Sequence, residues 1–299
     1  MTTYLAKQNP HDRDAHIHFE EGPHKYTIQG IADITPESVF TSVTTLVHQH
    51  FEHFDAKKII AGMMRNQKKW NDPIANAKYY GKSAEEIEQM WNTAGRDAAT
   101  AGTKMHYKIE CFYNAVPDAD ADAPDAATDA APEFKYFLNF HRDYVATEPP
   151  KLRPYRTEWT VFHEEARIAG SIDMVYEVID PAPAAAPEGQ QPPVLAIYDW
   201  KRCREITKTN RANKFATHPA IEHIPDSNFW HYALQLNVYK YILQSKYGKT
   251  ITDLCLVVLH PEAQNYQCVK LPDLQSEVAE LFEERIRDFA AAAAAAATE

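Results

Sequence analysis

Asp199 and Lys201 stand two apart in the run Leu195-Ala196-Ile197-Tyr198-Asp199-Trp200-Lys201. The apolar lead-in reads as a β-strand, and residues two apart on a strand share a face. A carboxylate beside an ammonium, with Trp200 turned away, suits metal-assisted phosphodiester hydrolysis. The carboxylate holds Mg²⁺, and the lysine steadies the attacking water and the charge that develops on phosphate. Asp173 ends the run Gly170-Ser171-Ile172-Asp173. Ile168, Ile172, Met174 and Val175 around it suggest a core strand, where a lone Asp is costly unless paired or metal-bound. The glycine marks close backbone approach or a bulge. Two strands that each bring one Asp to the same spot make a hard oxygen site for Mg²⁺.

Two further pairs stand four apart, at helical spacing. His106 and Glu110 share a helix face in Gly102-x-x-x-His106-x-x-x-Glu110. An imidazole ligand favours Mn²⁺ over Mg²⁺. Gln235 and Tyr239 share another face and can bond a phosphate or orient Lys201, while Leu234, Val238 and Ile242 look like core. Each piece has a plainer reading: a solvated Asp and Lys at a strand end, an Asp173 that begins a turn, a buried histidine bonded to an acid, or surface polar residues on an ordinary helix with Tyr239 partly packed in the core. Glu158 fits a supporting group, an additional ligand or a strand salt bridge. The histidines His11, His16, His18 and His24 lack a supporting cysteine or acid pattern and read as composition.

The elements that must position these residues follow from periodicity. Residues 16–30 alternate around Ile17, Phe19, Tyr26 and Ile28 and predict a hairpin. Ser42 or Thr44 can cap a helix that follows. Residues 55–70 and 84–113 read as helices, the second divided near Gly95 or Gly102. A helix is expected at 133–145, strands at 155–163, 167–179 and 194–202, and an amphipathic helix at 229–247. A strand at 251–260 and a helix at 275–297 complete the order. Two Ala/Asp/Pro stretches, 115–132 and 181–193, have little to bury and read as loops. Both fall between pieces of the site, so residues 1–299 form one domain. Residues 1–100 hold the hairpin and first helices, 101–260 the core and 275–297 the last helix.

The chain has 299 residues and a formal net charge of −11. That charge argues against a protein that coats nucleic acid nonspecifically, though a basic surface can be local. Lys201, Arg202, Arg204, Lys208, Arg211 and Lys214 cluster with only Glu205 nearby, Lys104 precedes His106, and Lys57, Lys58, Arg65, Lys68 and Lys69 form a second group. Such groups hold phosphate backbones, and Tyr79, Tyr80, Trp91 and Trp230 could stack on bases. Charge runs are also commonly just solvated faces. Cys111, Cys203, Cys255 and Cys268 are scattered, which points to a reducing intracellular compartment, cytoplasm or nucleus, or a host cell for a viral protein. No apolar run approaches the ~18 residues of a membrane span. Met1 to Glu20 reads neither as a signal peptide nor as a transit peptide.

Together the pieces G-x-x-x-H-x-x-x-E, G-x-x-D, D-x-K and Q-x-x-x-Y resemble the RecB-type exonuclease branch of the PD-(D/E)XK nuclease superfamily. The chain is most similar to its single-domain members, the genome-maintenance exonucleases of mitochondria and their viral relatives. The resemblance spans about residues 40–260 and includes Ser42-Val43-Thr44-Thr45. It implies an α/β fold with a restriction-endonuclease-like core, a central mixed β-sheet flanked by α-helices. It implies Mg²⁺ or Mn²⁺ on His106, Asp173, Asp199 and the Trp200 carbonyl, and Lys201 as the catalytic lysine. Glu110, Gln235 and Tyr239 take supporting catalytic positions. Arg202, Arg204, Lys208, Arg211 and Lys104 are expected on nucleic acid. Some relatives carry an iron–sulfur cluster; the cysteine spacing here does not match, so none is expected. The implied activity is exonucleolytic cleavage of single-stranded or end-exposed DNA in repair or replication. A helicase or a replication or recombination protein is the implied partner, and no membrane. A structure-selective endonuclease on the same core and a silent nucleic-acid-binding module remain open.

Overall fold

The computed structural model describes residues 4–115, 131–179, 192–210 and 212–296. Most of both Ala/Asp/Pro stretches, and Arg211, lie outside the described residues. In chain order the elements are α1 (Tyr4–Gln8), β1 (Ile17–Glu20), β2 (Lys25–Ile28), β3 (Thr41–Ser42), α2 (Val43–Gln49), α3 (Ala56–Arg65), α4 (Gln67–Trp70), α5 (Ala84–Tyr113) and α6 (Pro132–Tyr144). Then come β4 (Leu152–His163), β5 (Ile168–Val178), β6 (Val194–Lys201), α7 (Asn228–Tyr247), β7 (Thr250–Val258), β8 (Gln267–Lys270) and α8 (Gln275–Ala296).

The architecture is mixed α/β. β1 and β2 form the expected hairpin. A six-stranded mixed sheet runs β3-β5-β6-β7-β8, with β4 antiparallel on the other edge of β5. β6 and β7 are parallel, and α7 makes the crossover such a pair requires. Apolar alternation sorts the sheet residues to two faces. Leu195, Ile197, Ile251 and Leu256 pack with α2, α7 and α8. Ala196, Tyr198, Trp200 and Val257 pack with α5 and α6. No helix among the described residues is long and apolar enough to cross a membrane.

Three expectations change. The division of the long helix near Gly95 or Gly102 does not occur: α5 is one helix of 30 residues. A helix-interior glycine costs only about 1 kcal/mol against alanine. Nothing crowds either glycine, and a capping box of Ser83 with Glu86 starts the helix. The helix expected at 55–70 breaks at Asn66, whose side chain caps α4. α7 is not simply amphipathic: Leu234 and Val238, but also Asn237 and Lys240, are buried, because the sheet, α2 and α8 enclose it. The short α1, β3 and β8 had no legible period.

Asn237 shows how α7 meets α8. Its amide donates to the carbonyls of Ala233 and Pro272, and its oxygen accepts from Leu274 N–H and from Gln275. Asn237→Leu would strand the buried Leu274 donor and the half-buried Pro272 acceptor. Each such group costs about 1–3 kcal/mol, so urea unfolding should show a loss of at least about 2 kcal/mol. A midpoint equal to wild type would mean that water replaces these bonds.

Candidate metal centre

The motif residues meet at a gap in the sheet. On one edge of β5, β3 pairs only with Ile168 and Ala169, and β6 pairs only with Met174 to Glu177. Between them Gly170 to Asp173 have no ladder partner on that edge among the described residues. Past Tyr198, β6 leaves β5 but stays on β7 through Lys201. The backbone N–H of Trp200 is satisfied by a side chain instead: it donates to Asp173 Oδ2 at 3.0 Å.

The pleat also changes sense here. Ile172 packs on the α7 face, yet Met174, two residues on, packs on the α5 face. In a regular strand they would share a face. Opposite, between the pairs Thr157↔Met174 and Trp159↔Ile172, lies Glu158 with φ of 43°. That left-handed backbone is rare for a residue with a Cβ and stores strain of order 1–3 kcal/mol. It turns Glu158 toward Asp173.

His106, Glu158 and Asp173 thus each bring a ligand-type atom within 4.8 Å of the others, the one such group of three among the described residues. His106 Nε2–H donates to the Trp200 carbonyl at 2.8 Å, and its Nδ1 lies 3.4 Å from Asp173 Oδ2. Ser171 Oγ donates to Glu158 at 2.9 Å. Asp199, only 2% exposed, lies beside them. Its Oδ2 is 2.7 Å from Lys201 Nζ, but no donor is well directed at that oxygen among the described residues. Asp199 and Lys201 share the α7 side of β6, and Trp200 packs against Phe137 and Phe140 on the other, as the period of two requires.

Negative charge accumulates in this gap. Burial, then repulsion from Asp173, pushes Glu158 up to about 7. The same two causes push Asp199 up to about 6, with Lys201 offsetting part of the rise. Burial alone would lower His106, but Asp173, Glu158 and Asp199 outweigh it and raise the imidazole. Burial likewise opposes the Lys201 ammonium, yet Asp199 and Asp173 hold it above its usual range. Buried acids that repel one another leave a site short of positive charge, which a hard divalent cation can supply.

From the α7 face, across the sheet from His106, come Tyr239 and Gln235. Tyr239 is 4% exposed, lies beside Gln235, and burial drives its phenol far up. It sits against Gly170, where a Cβ would lie 2.8 Å from its ring and 2.9 Å from Val43 Cγ2. The glycine of the G-x-x-D run is therefore a packing requirement. Gly170→Ala must displace a rigid buried ring next to Asp173. Overpacking of this kind costs about 1–3 kcal/mol, so thermal unfolding should fall by several degrees. An unchanged melting temperature would show that the ring yields freely.

The remaining candidates are dispersed. Glu110 lies one turn from His106, near enough to contribute to raising Glu158. Arg202 donates to Glu133 at 2.5 Å at the start of α6, so its charge is already engaged. Arg204 pairs with Glu262 at the surface. Lys208 lies over the Phe229 ring, and Lys104 is exposed on α5. Trp91 donates to Tyr79 and Trp230 to the Lys208 carbonyl, whereas Tyr80 stays exposed. Lys57, Lys58, Arg65, Lys68 and Lys69 are all exposed on α3 and α4.

Sequence reasoning missed three contributors. Tyr26 of the hairpin meets the backbone of Ser171, and burial with the nearby Glu158 pushes its phenol to about 12. Asn114 ties α5 to Thr157, next to Glu158. Lys201 Nζ lies 4.7 Å from the Tyr232 ring centroid. Only Tyr232 left a signal, being on the same α7 stripe as Gln235 and Tyr239.

No model of a known protein family matches this chain, and no curated protein does. Among solved structures, "Crystal structure of SSO0001" aligns over 86% of this chain and 78% of that one. The two are 12% identical with a TM-score of 0.28, a likeness too slight to bear on fold or function.

Proposed function

We propose that this chain is a divalent-metal-dependent nuclease of the PD-(D/E)XK type, with a restriction-endonuclease-like core, that hydrolyses phosphodiester bonds of DNA from exposed ends. One observation carries the reading: acids and an imidazole crowd a gap in the sheet beside a buried Asp199–Lys201 pair. The donor set fits a cation. Glu158 and Asp173 offer hard oxygens, Asp199 a buried oxygen without a well-directed donor among the described residues, His106 an imidazole and Trp200 a carbonyl. Oxygen donors suit Mg²⁺, and the imidazole extends the range to Mn²⁺.

A bound divalent cation would supply the positive charge that a phosphodiester needs as a nucleophile adds. The chain's own groups do the rest. Asp173 anchors the Trp200 N–H and faces His106, which fixes the spacing of β5, β6 and α5. Ser171 fixes the carboxylate of Glu158. Lys201 stays charged and stabilises negative charge on the phosphate. The exposed cations on α3 and α4 suit a phosphate backbone. Duplex substrates would then call for a partner that opens or delivers the end, such as a helicase or recombination protein.

The test is cleavage of end-labelled linear and closed circular DNA, single- and double-stranded, in Mg²⁺, Mn²⁺ and EDTA. Metal-dependent loss of linear DNA alone is expected. Nicking of closed circles would replace exonuclease by endonuclease. Salt-sensitive binding without cleavage in either metal would sink the enzymatic reading in favour of a binding module.

A further inference from the structure

We propose that Tyr232 is a positioning residue for Lys201, holding its ammonium on the ring face while the carboxylate of Asp199 is shared with a cation. This rests on the nuclease reading above. Lys201 leaves β6 on the α7 side with two neighbours at its ammonium. Asp199 Oδ2 is 2.7 Å from Nζ on one side. The Tyr232 ring centroid is 4.7 Å away on another, well inside the about 6 Å reach of a cation–π contact. The ring is itself held, since Tyr232 packs half-buried against the core.

The two contacts behave differently when the site is loaded. Asp199 Oδ2, which has no well-directed donor among the described residues, would be shared between Lys201 and a divalent cation held in the gap. The ring face would not be shared in this way. The aromatic contact therefore persists when the ion pair is weakened, and it keeps a long, flexible side chain from swinging away. Tyr232, Gln235 and Tyr239 are spaced three and four apart, so one stripe of α7 serves both Lys201 and the Gly170 side of the site. The hydroxyl is not needed for this role; the π face is.

The experiment compares Tyr232→Phe and Tyr232→Leu in steady-state cleavage with Mn²⁺, with and without Lys201→Ala. A cation–π contact of ordinary strength corresponds to about a 2- to 30-fold effect. Tyr232→Leu should lower kcat by that factor with KM changed by less than about twofold, and Tyr232→Phe should keep wild-type kcat. In the Lys201→Ala background, Tyr232→Leu should add nothing. Wild-type kcat in Tyr232→Leu, or equal loss in both variants, would overturn the assignment. A merely packing role would also be rescued by phenylalanine, but it would move KM and stability together and would persist in the Lys201→Ala background. Independently of activity, lysine-labelled NMR should show a ring-current shift of the Lys201 ε-methylene, present in wild type and Tyr232→Phe and absent in Tyr232→Leu. Wild type that cleaves nothing defeats the nuclease reading and the catalytic role with it. An absent shift in active wild type defeats the Tyr232 assignment alone.

Discussion

Lys201→Ala and Asp199→Ala are each expected to reduce metal-dependent cleavage by about 10²–10³-fold or more, the worth of a group aimed at charge that develops in the transition state. The two losses should differ in kind. Lys201→Ala removes a cation from a site already rich in acids, so Mn²⁺ should still bind and still raise the melting temperature. Asp199→Ala removes a carboxylate that is 2% exposed and leaves the Lys201 ammonium with less to oppose its burial. Breaking a buried pair from one side costs about 3–5 kcal/mol. Asp199→Asn is therefore the companion variant, since it keeps the shape and loses the charge. Near-UV circular dichroism separates misfolding from lost chemistry. Folded Asp199→Asn and Lys201→Ala proteins that cleave at the wild-type rate would falsify the assignment of this pair.

Glu158→Gln is expected to stabilise the cation-free protein at pH 8 while abolishing most of its response to divalent cations. Glu158 moves from 4.5 to about 7 in the fold, first through burial and then through Asp173. A carboxyl raised in this way contributes its full stability below about 4.5 and loses it as pH rises through about 7. At pH 8 the ionised group therefore works against the fold by up to about 3 kcal/mol. Glutamine escapes that penalty and can still accept from Ser171. In EDTA, urea unfolding of variant and wild type should nearly coincide at about pH 4 and separate toward pH 8, with the variant more stable. Addition of Mn²⁺ should reverse the order, because only wild type keeps all its oxygen donors. For the same reason cation binding should release protons from Glu158, Asp199 and His106, and affinity should rise between pH 5.5 and 8. A variant less stable than wild type at pH 8 in EDTA would mean that Glu158 is a structural ion-pair residue and no cation ligand.

The cost of such a site is visible in the fold. Among the described residues, Glu158 has left-handed backbone, Asp199 keeps an oxygen without a well-directed donor, and β5 leaves four residues without a partner on one edge. Asn237, whose bonds are all made, stands in contrast on the same helix that serves the site. Local rules are broken at the gap and kept beside it, a pattern expected where function rather than stability selects the residues.

The sequence by itself determined the main elements and the faces of the motif residues. Periods of two and 3.6 are local properties of the chain. They suffice to put Asp199 and Lys201 on one side of β6 with Trp200 opposite, His106 one turn from Glu110, and Gln235 one turn from Tyr239. Gly170 was legible as a point of close approach, though not that Tyr239 is what approaches. Only the tertiary structure decided which acid stands with His106 and Asp173. Glu158 points there because its backbone turns left-handed within β4, and no residue type announces that. Only the tertiary structure opened the gap, since strand divergence depends on how β3 and β6 share one edge of β5. It also set Arg202 on Glu133 and Lys201 on Tyr232, across 69 and 31 residues of chain respectively. Contacts at that separation arise from packing among layers, which the spacing of residues along the chain does not encode.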